Sequence, residues 1–290
     1  MKKNRVIESA VHGVFALLGG VSVGCVAVIS VYLVISGIPA MREIGLTRFL
    51  LGRTWASTAA SPEFGILPFI LTSVYGTAGA LVLGVPTGFL TAVYLSKFAP
   101  ARVRRVMERA VNLLAGIPSV VYGLVGMLVL VPGIRTLFNV PDGASLLAAI
   151  VVLAVMILPS LIKVSVTALD SVPREYEEAS LALGATATET AFRVAVPAAK
   201  SGIAAAIVLG AGRAVGEAMA VMMVAGNVAN MPSLFQSVRF LTTAVASEMA
   251  YSSPGSLQRG ALFSIALVLY VFIMLINAAL NLILKRRGER

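Results

Sequence analysis

The sequence predicts an all-α integral membrane protein, a single bundle of six transmembrane helices. Three observations lead there. Of the 290 residues 58% are hydrophobic and only 12% charged, whereas a soluble domain carries about a quarter charged residues. The apolar residues gather in long uncharged runs, and about 20 helical residues cross the roughly 30 Å of bilayer hydrocarbon. The runs also lack the alternating pattern of a lipid-facing barrel, and backbone in lipid must satisfy its own hydrogen bonds, so each run reads as a helix.

The runs cover 11–41, 64–96, 110–134, 143–162, 201–212 (continuing past two charges to 238) and 260–284. Lys2, Lys3 and Arg5 precede the first, as in a secretory signal. That run exceeds the about 7–15 apolar residues of a signal core and has no convincing cleavage site, so an uncleaved first helix is expected. The net charge of +10 would suit nucleic acid. The basic residues cluster at the ends of apolar runs, however, which points to membrane orientation and not to a nucleic-acid partner. With both termini cytoplasmic, inside segments hold 16 Lys and Arg and outside segments 6; the positive-inside rule supports that orientation.

Trp55, between the first two crossings, reads as an interfacial anchor. Leu234, Val238, Leu241 and Val245 have helical spacing with Ser233 as a possible N-cap, so a short external helix is expected there. It would close the pore, meet an external partner or lie passively in the interface. Pro68 and Pro86 fall in the second crossing, and Gly116, Pro118 and Gly123 near the start of the third. Bent pathway helices and ordinary packing through small residues both explain them. One cysteine, Cys25, excludes an internal disulfide. His12 has no cysteine or acidic cluster beside it, and no metal, cofactor or catalytic site is expected. No linker separates domains, so 1–290 reads as one membrane domain with its core at about 66–284.

Residues 172–197 form an acidic island, holding four of the thirteen carboxylates: Glu175, Glu177, Glu178 and Glu189. Pro173 can open a helix at its first position. Glu175, Glu177 and Glu178 then fall in the first turn, where the helix dipole favours negative charge. Gly184 would end that helix or bend it, and a second helix over 188–196 leads to Pro197 and back into the membrane. The expected shape is two short helices with a glycine bend across the cytoplasmic base of the bundle.

In the fifth crossing Arg213 lies twelve residues past Ser201, roughly 18 Å along a helix and near mid-membrane. A lone charge there costs roughly 2.5–3.5 kcal/mol on insertion scales. Glu217, four residues on, would share its face and pair with it. Gly212 and Gly216 make a small-xxx-small strip that would admit a neighbouring helix. The pair reads either as a salt bridge locking helix packing or as a polar spot on a pathway, with Arg213 attracting an anion and Glu217 tuning that charge.

Glu178-Ala179-Ser180, Gly184, Val194 and Val196-Pro197 resemble the EAA loop of ABC-importer permeases, EAA-x3-G-x9-I-x-LP. The departures are Ser for the second Ala and Val for Ile and Leu. The resemblance implies a type I ABC-importer permease (MetI-like) bundle with a cytoplasmic coupling helix. In it Glu178, Ala179, Gly184 and Pro197 would dock on a separate ATP-binding cassette ATPase dimer. The chain has no G-x4-G-K-[ST] loop of its own, consistent with a transport subunit and not an enzyme.

The stretches GRAVGEAMAVMMVAGN at 212–227 and AGIPSVVYGLVG at 115–126 look like the C-type permeases of phosphate ABC transporters. That resemblance implies a high-affinity phosphate importer in a bacterial or archaeal cytoplasmic membrane. Its partners would be a second, A-type permease, the ATPase dimer and an extracytoplasmic phosphate-binding protein, with Arg213 and Glu217 on the substrate pathway. The R-x-x-G-E core also occurs in sulfate permeases, so a permease for another oxyanion such as sulfate or molybdate is the alternative. The tyrosine-glycine motif and the A-M-A-V tail favour phosphate. An integral-membrane enzyme or an ion-driven carrier would need a catalytic constellation, or a repeat with more buried acids.

Overall fold

The structure is a computed structural model and describes residues 2–288. Helix α1 (Lys2–Ile44) is followed by a short α2 (Leu46–Leu51) and a two-stranded hairpin of β1 (Trp55–Ala56) and β2 (Glu63–Phe64). Next come α3 (Leu67–Phe98), whose last turn is a π-helix, α4 (Ala101–Gly116), α5 (Ser119–Phe138) and α6 (Leu146–Asp170). Then follow α7 (Arg174–Ala182), α8 (Ala187–Ala198), α9 (Lys200–Gly216) and α10 (Met219–Val224). The chain finishes with α11 (Leu241–Glu248) and α12 (Leu257–Gly288).

Helices α1, α3, α5, α6 and α12 are each long and apolar enough to cross a membrane. Helices α8 and α9 pass the same test only together across a 71° bend, α9 being the arm of a sixth crossing inside the bundle and α8 lying at its end. The chain therefore shuttles between two ends. One end carries residues 172–197 and is called the loop end; the other, the far end, carries the hairpin and α11.

Helix α6 is the centre, with 61% of its most apolar window buried, while the corresponding window of α1 has no buried residue. Ser145 caps α6 by accepting the Ala148 N–H, which satisfies one of the donors a helix start leaves free. Glycines on α3 let it lie close against α6: a Cβ at Gly79 would fall 2.6 Å from Ile150, and one at Gly84 2.8 Å from Ile157. At the outside of the bundle α1 rests on α12, where the Ser264 hydroxyl donates to Gly37 O at 2.6 Å. Small residues at these seams allow the close backbone approach on which helix association in lipid depends.

The core follows the same layers. Phe49, Trp55, Phe64, Phe69, Leu241 and Ile265 fill the far end. Leu146, Leu153, Met156, Val221 and Phe240 fill the middle, and Val93, Leu95, Val111, Ile162 and Leu169 the loop end.

Several expectations shift. The third crossing begins at Ser119 and not at 110, because Pro118 has no N–H to donate and Ile117 is extended (φ −71°, ψ 126°), which stops α4. Residues 110–116 belong to α4, a separate and largely exposed helix. The fifth crossing is not continuous to 238: α9 stops at Gly216, α10 is short, and 225–240 return through irregular chain. The expected short helix exists as α11, at the far end, but it starts at Leu241, and Ser233 caps nothing there. Trp55 is no lipid anchor. It is 8% exposed, stacks edge-on against Phe64, and donates from Nε1 to Glu248 Oε1 at 3.0 Å. Pro173 precedes α7 as its N-cap residue and does not open it from the first helical position.

Candidate functional site

Two places gather the polar chemistry. The first lies inside the bundle, where α9 packs on α6 and leads into α10, which packs on α5. Arg213 is half-buried in the last turn of α9 and donates from Nη1 to Ser160 Oγ at a long 3.4 Å. Ser160 follows Pro159 within α6, and a proline there leaves the carbonyl of Val155 without its helical donor. Tyr122 of α5 is near enough for the Arg213 charge to act on its hydroxyl. That hydroxyl donates to Leu114 O at 2.7 Å, across the break between α4 and α5.

The expected Arg213–Glu217 pair is not formed. Helix α9 ends at Gly216, and Glu217 is extended (φ −74°, ψ 127°), so the helical register that stacks residue i+4 over residue i is lost. Glu217 serves the next helix instead. Its Oε1 accepts the Ala220 N–H at 3.0 Å, and its backbone carbonyl accepts the Thr242 hydroxyl at 2.8 Å. A carboxylate before a helix start is the favourable end for the dipole. Among the described residues Arg213 makes no ion pair.

The glycine strip also differs from expectation. A Cβ at Gly212 or Gly216 would meet nothing within 4 Å, whereas Gly210 faces Leu161. The strip beside Arg213 is open within this chain. Close approach occurs elsewhere: a Cβ at Gly123 would lie 2.8 Å from Ala220 Cα, so the α5 glycine makes room for α10.

The second place is the loop end. Helix α7 ends in a Schellman turn, with Ala185 N bonded to Ser180 O at 3.2 Å and Gly184 N to Leu181 O at 2.9 Å. Gly184 takes φ +88°, a conformation that suits glycine. Thr186 then opens α8 with a capping box: its Oγ1 accepts the Glu189 N–H at 3.2 Å, and Glu189 Oε2 accepts the Thr186 N–H at 3.0 Å. The hydrogen bonds from Thr186, backbone first and hydroxyl second, hold the Glu189 carboxyl below its ordinary pKa. Ser180 and Thr190 hydroxyls join the two helices at 2.9 Å.

The elbow is tied to the bundle by its base. Lys97 pairs with Glu177 at 2.5 Å and donates to Leu169 O at 3.0 Å. Arg104 pairs with Asp170 and with Glu108, and the hydrogen bonds to these two, Asp170 first, raise its pKa. The rest of α7 is uncovered: it has no buried residue, and Leu183 beyond it is 90% exposed. Glu178, Ala179 and Gly184 are exposed together on this elbow. Pro197, also exposed, lies in the last turn of α8, just before a 71° change of direction into α9.

Of the residues singled out from sequence, the structure unites the elbow and separates Arg213 from Glu217. Ser160 and Tyr122, which stand by Arg213, were not marked as site residues. A serine after a proline in an apolar run was the available signal for the first. Tyr122 was visible only as part of a motif.

The chain is similar to known proteins over most of its length. Residues 84–289 match the family model described as binding-protein-dependent transport system inner membrane component. A probable ABC transporter permease protein of Bacillus subtilis, YqgH, is 39% identical over 256 residues, covering 86% of this chain and 83% of that protein. The phosphate transport system permease protein PstC of Haemophilus influenzae is 33% identical, covering 91% and 89%. PstC of Mesorhizobium japonicum is 32% identical, covering 96% and 87%. Among solved structures, a chain of the methionine ABC transporter MetNI in an inward-facing conformation superposes with a TM-score of 0.57. It has 23% identity and covers 77% of this chain and 94% of that one, a likeness of fold.

Proposed function

The chain belongs to the family of binding-protein-dependent transport system inner membrane components, and from that premise we propose that it is the permease subunit of an ATP-driven importer of inorganic phosphate. It is a multi-pass membrane transport subunit and not an enzyme. One observation carries the choice of cargo. Arg213 sits inside the bundle, half-buried, with a single long hydrogen bond and no carboxylate upon it. An intramembrane charge costs several kcal/mol on insertion scales, about 2.5–3.5, and persists where it serves a pathway. A guanidinium with donors to spare matches the oxygens of a phosphate ion. The names of the PstC relatives support the same cargo.

In this reading Arg213 draws the anion, with Ser160 and Tyr122 as neutral hydrogen-bonding neighbours. Glu217 acts one step removed, holding the start of α10 and thus the break beside Arg213. The open strip of Gly212 and Gly216 faces the second, A-type permease, so that the pathway runs between two chains.

The elbow of α7 and α8 is the coupling point. Its exposed Glu178, Ala179 and Leu183 suit a groove on an ATPase subunit, while Lys97–Glu177 and Arg104–Asp170 transmit the movement into α3, α4 and α6. The ATPase dimer closes on ATP, the elbows ride with it, and the two bundles turn from inward-open to outward-open. An extracytoplasmic phosphate-binding protein delivers the ion at the far end. The loop end and both termini are then cytoplasmic, in keeping with the distribution of Lys and Arg.

The test is ATP-dependent uptake of labelled phosphate into vesicles holding this chain with its partner subunits. Arg213→Ala should lower uptake at least tenfold while the assembly still purifies intact; full uptake would remove Arg213 from the pathway. Excess sulfate should leave uptake unchanged, and competition by sulfate would favour a broader oxyanion permease.

A further inference from the structure

Helix α4 has three faces. Residues advance by about 100° each around a helix. Arg104, Glu108, Val111 and Ala115 therefore share one side, and these four alone on α4 are buried or half-buried, so that side rests on the bundle. A second side carries Val103, Val106, Ala110, Leu113 and Leu114, all exposed, with Val106 at 64% and Leu113 at 74%. Along the margin of that apolar side run Arg102, Arg105 and Arg109, spaced i, i+3, i+7 and exposed. None of the three has an ion pair among the described residues. Glu108, the acid of this helix, is turned to the bundle and bonded to Arg104.

The apolar side does not stop with α4. Leu114 and Ile117 carry it past the Pro118 break into a groove of about 610 Å³ along α5 and α6, lined further by Val121, Val125, Val129 and Val155. Helix α5 is a membrane crossing, so this strip rises from hydrocarbon depth onto α4. A strip that leaves the hydrocarbon and is then edged by unpaired arginines has the geometry of an amphipathic helix in the membrane interface. The positive edge complements anionic headgroups and not neutral ones.

We propose that α4 is a binding surface for anionic phospholipid. Arg102, Arg105 and Arg109 hold the headgroup phosphates, and Val106 and Leu113 enter the upper acyl layer. The surface lies at the loop end, where α4 is tied through Arg104 to Asp170 at the foot of α6. It rests on the chain being a membrane permease and is independent of what the permease carries.

The test uses the full chain, purified with the subunits that accompany it, in vesicles of phosphatidylcholine with phosphatidylglycerol. Cys25, which is exposed, is changed to Ser, and a bimane label is attached at Val106→Cys. Brominated phosphatidylglycerol should quench this label at least about threefold more effectively than brominated phosphatidylcholine at equal mole fraction, since basic residues near the surface attract anionic lipid. The preference should fall to near one with Arg102→Gln, Arg105→Gln and Arg109→Gln combined. The matching triple lysine variant should keep it, which separates loss of charge from loss of fold. Equal quenching by both lipids, or a preference that survives in the glutamine variant, overturns the proposal. A label that neither lipid quenches also overturns it and indicates that another protein subunit covers this face.

Discussion

At the residue scale, charge placement follows from what each group can reach. Arg213 reaches a serine and lies by a tyrosine, while Glu217 is turned away to cap α10. Glu217→Gln keeps a cap oxygen, so it should slow uptake less than Arg213→Ala does; comparing the two transport rates checks this. Thr72 offers a contrasting case. Its hydroxyl is buried without a partner, and an unmade buried hydrogen bond costs about 1–3 kcal/mol. Thr72→Val, nearly the same shape, should therefore leave uptake unchanged and raise the thermal midpoint in detergent.

At the element scale, the loop-end elbow is built from local capping. Gly184 at φ +88° ends α7, and any L-residue there is strained. Gly184→Pro, or Glu178→Lys on the exposed side, should uncouple phosphate-stimulated ATP hydrolysis from transport, read as ATP consumed per phosphate imported. The capping box adds a pH dependence. The Glu189 pKa is lowered in the folded chain, chiefly by the Thr186 hydrogen bonds. Its stabilising effect is thus present above the ordinary carboxyl pKa and is lost as pH falls through the folded value. Amide-exchange protection over Ala187–Thr190 should drop on acidification, and Glu189→Gln should lack that drop. Further into the bundle, Gly84→Leu would push a side chain against Ile157. Such overpacking costs about 1–3 kcal/mol, read as a lower thermal midpoint.

At the scale of the whole molecule, the two ends are built differently. The far end is a closed cap: Glu248 accepts from Trp55, Ser57 and Gln258 and pairs with Arg239, so the hairpin, α11 and α12 are locked together. The loop end projects an uncovered elbow instead, the side on which the proposed ATPase would dock. If that side is the cytoplasm, an impermeant maleimide added to intact cells should label Arg53→Cys and leave Leu183→Cys unlabelled, in a Cys25→Ser background. The reverse pattern would invert the orientation.

The sequence by itself determined the class of molecule, the number of crossings and the elbow. Each rests on local physics: apolar length against bilayer thickness, a glycine where the backbone turns left-handed, and acids in the first turn of a helix. That Glu178, Ala179 and Gly184 share the elbow was legible because they lie within one short stretch. Tertiary structure decided what depends on neighbours far along the chain. Arg213 finds Ser160 from 53 residues away, and Trp55 is buried by Glu248 from 193 residues away. The sequence pattern continued the fifth helix through Glu217, but α10 and the Thr242 hydroxyl hold that residue outside the helix. Helical spacing states where side chains would point if the helix continued; only packing decides whether it does.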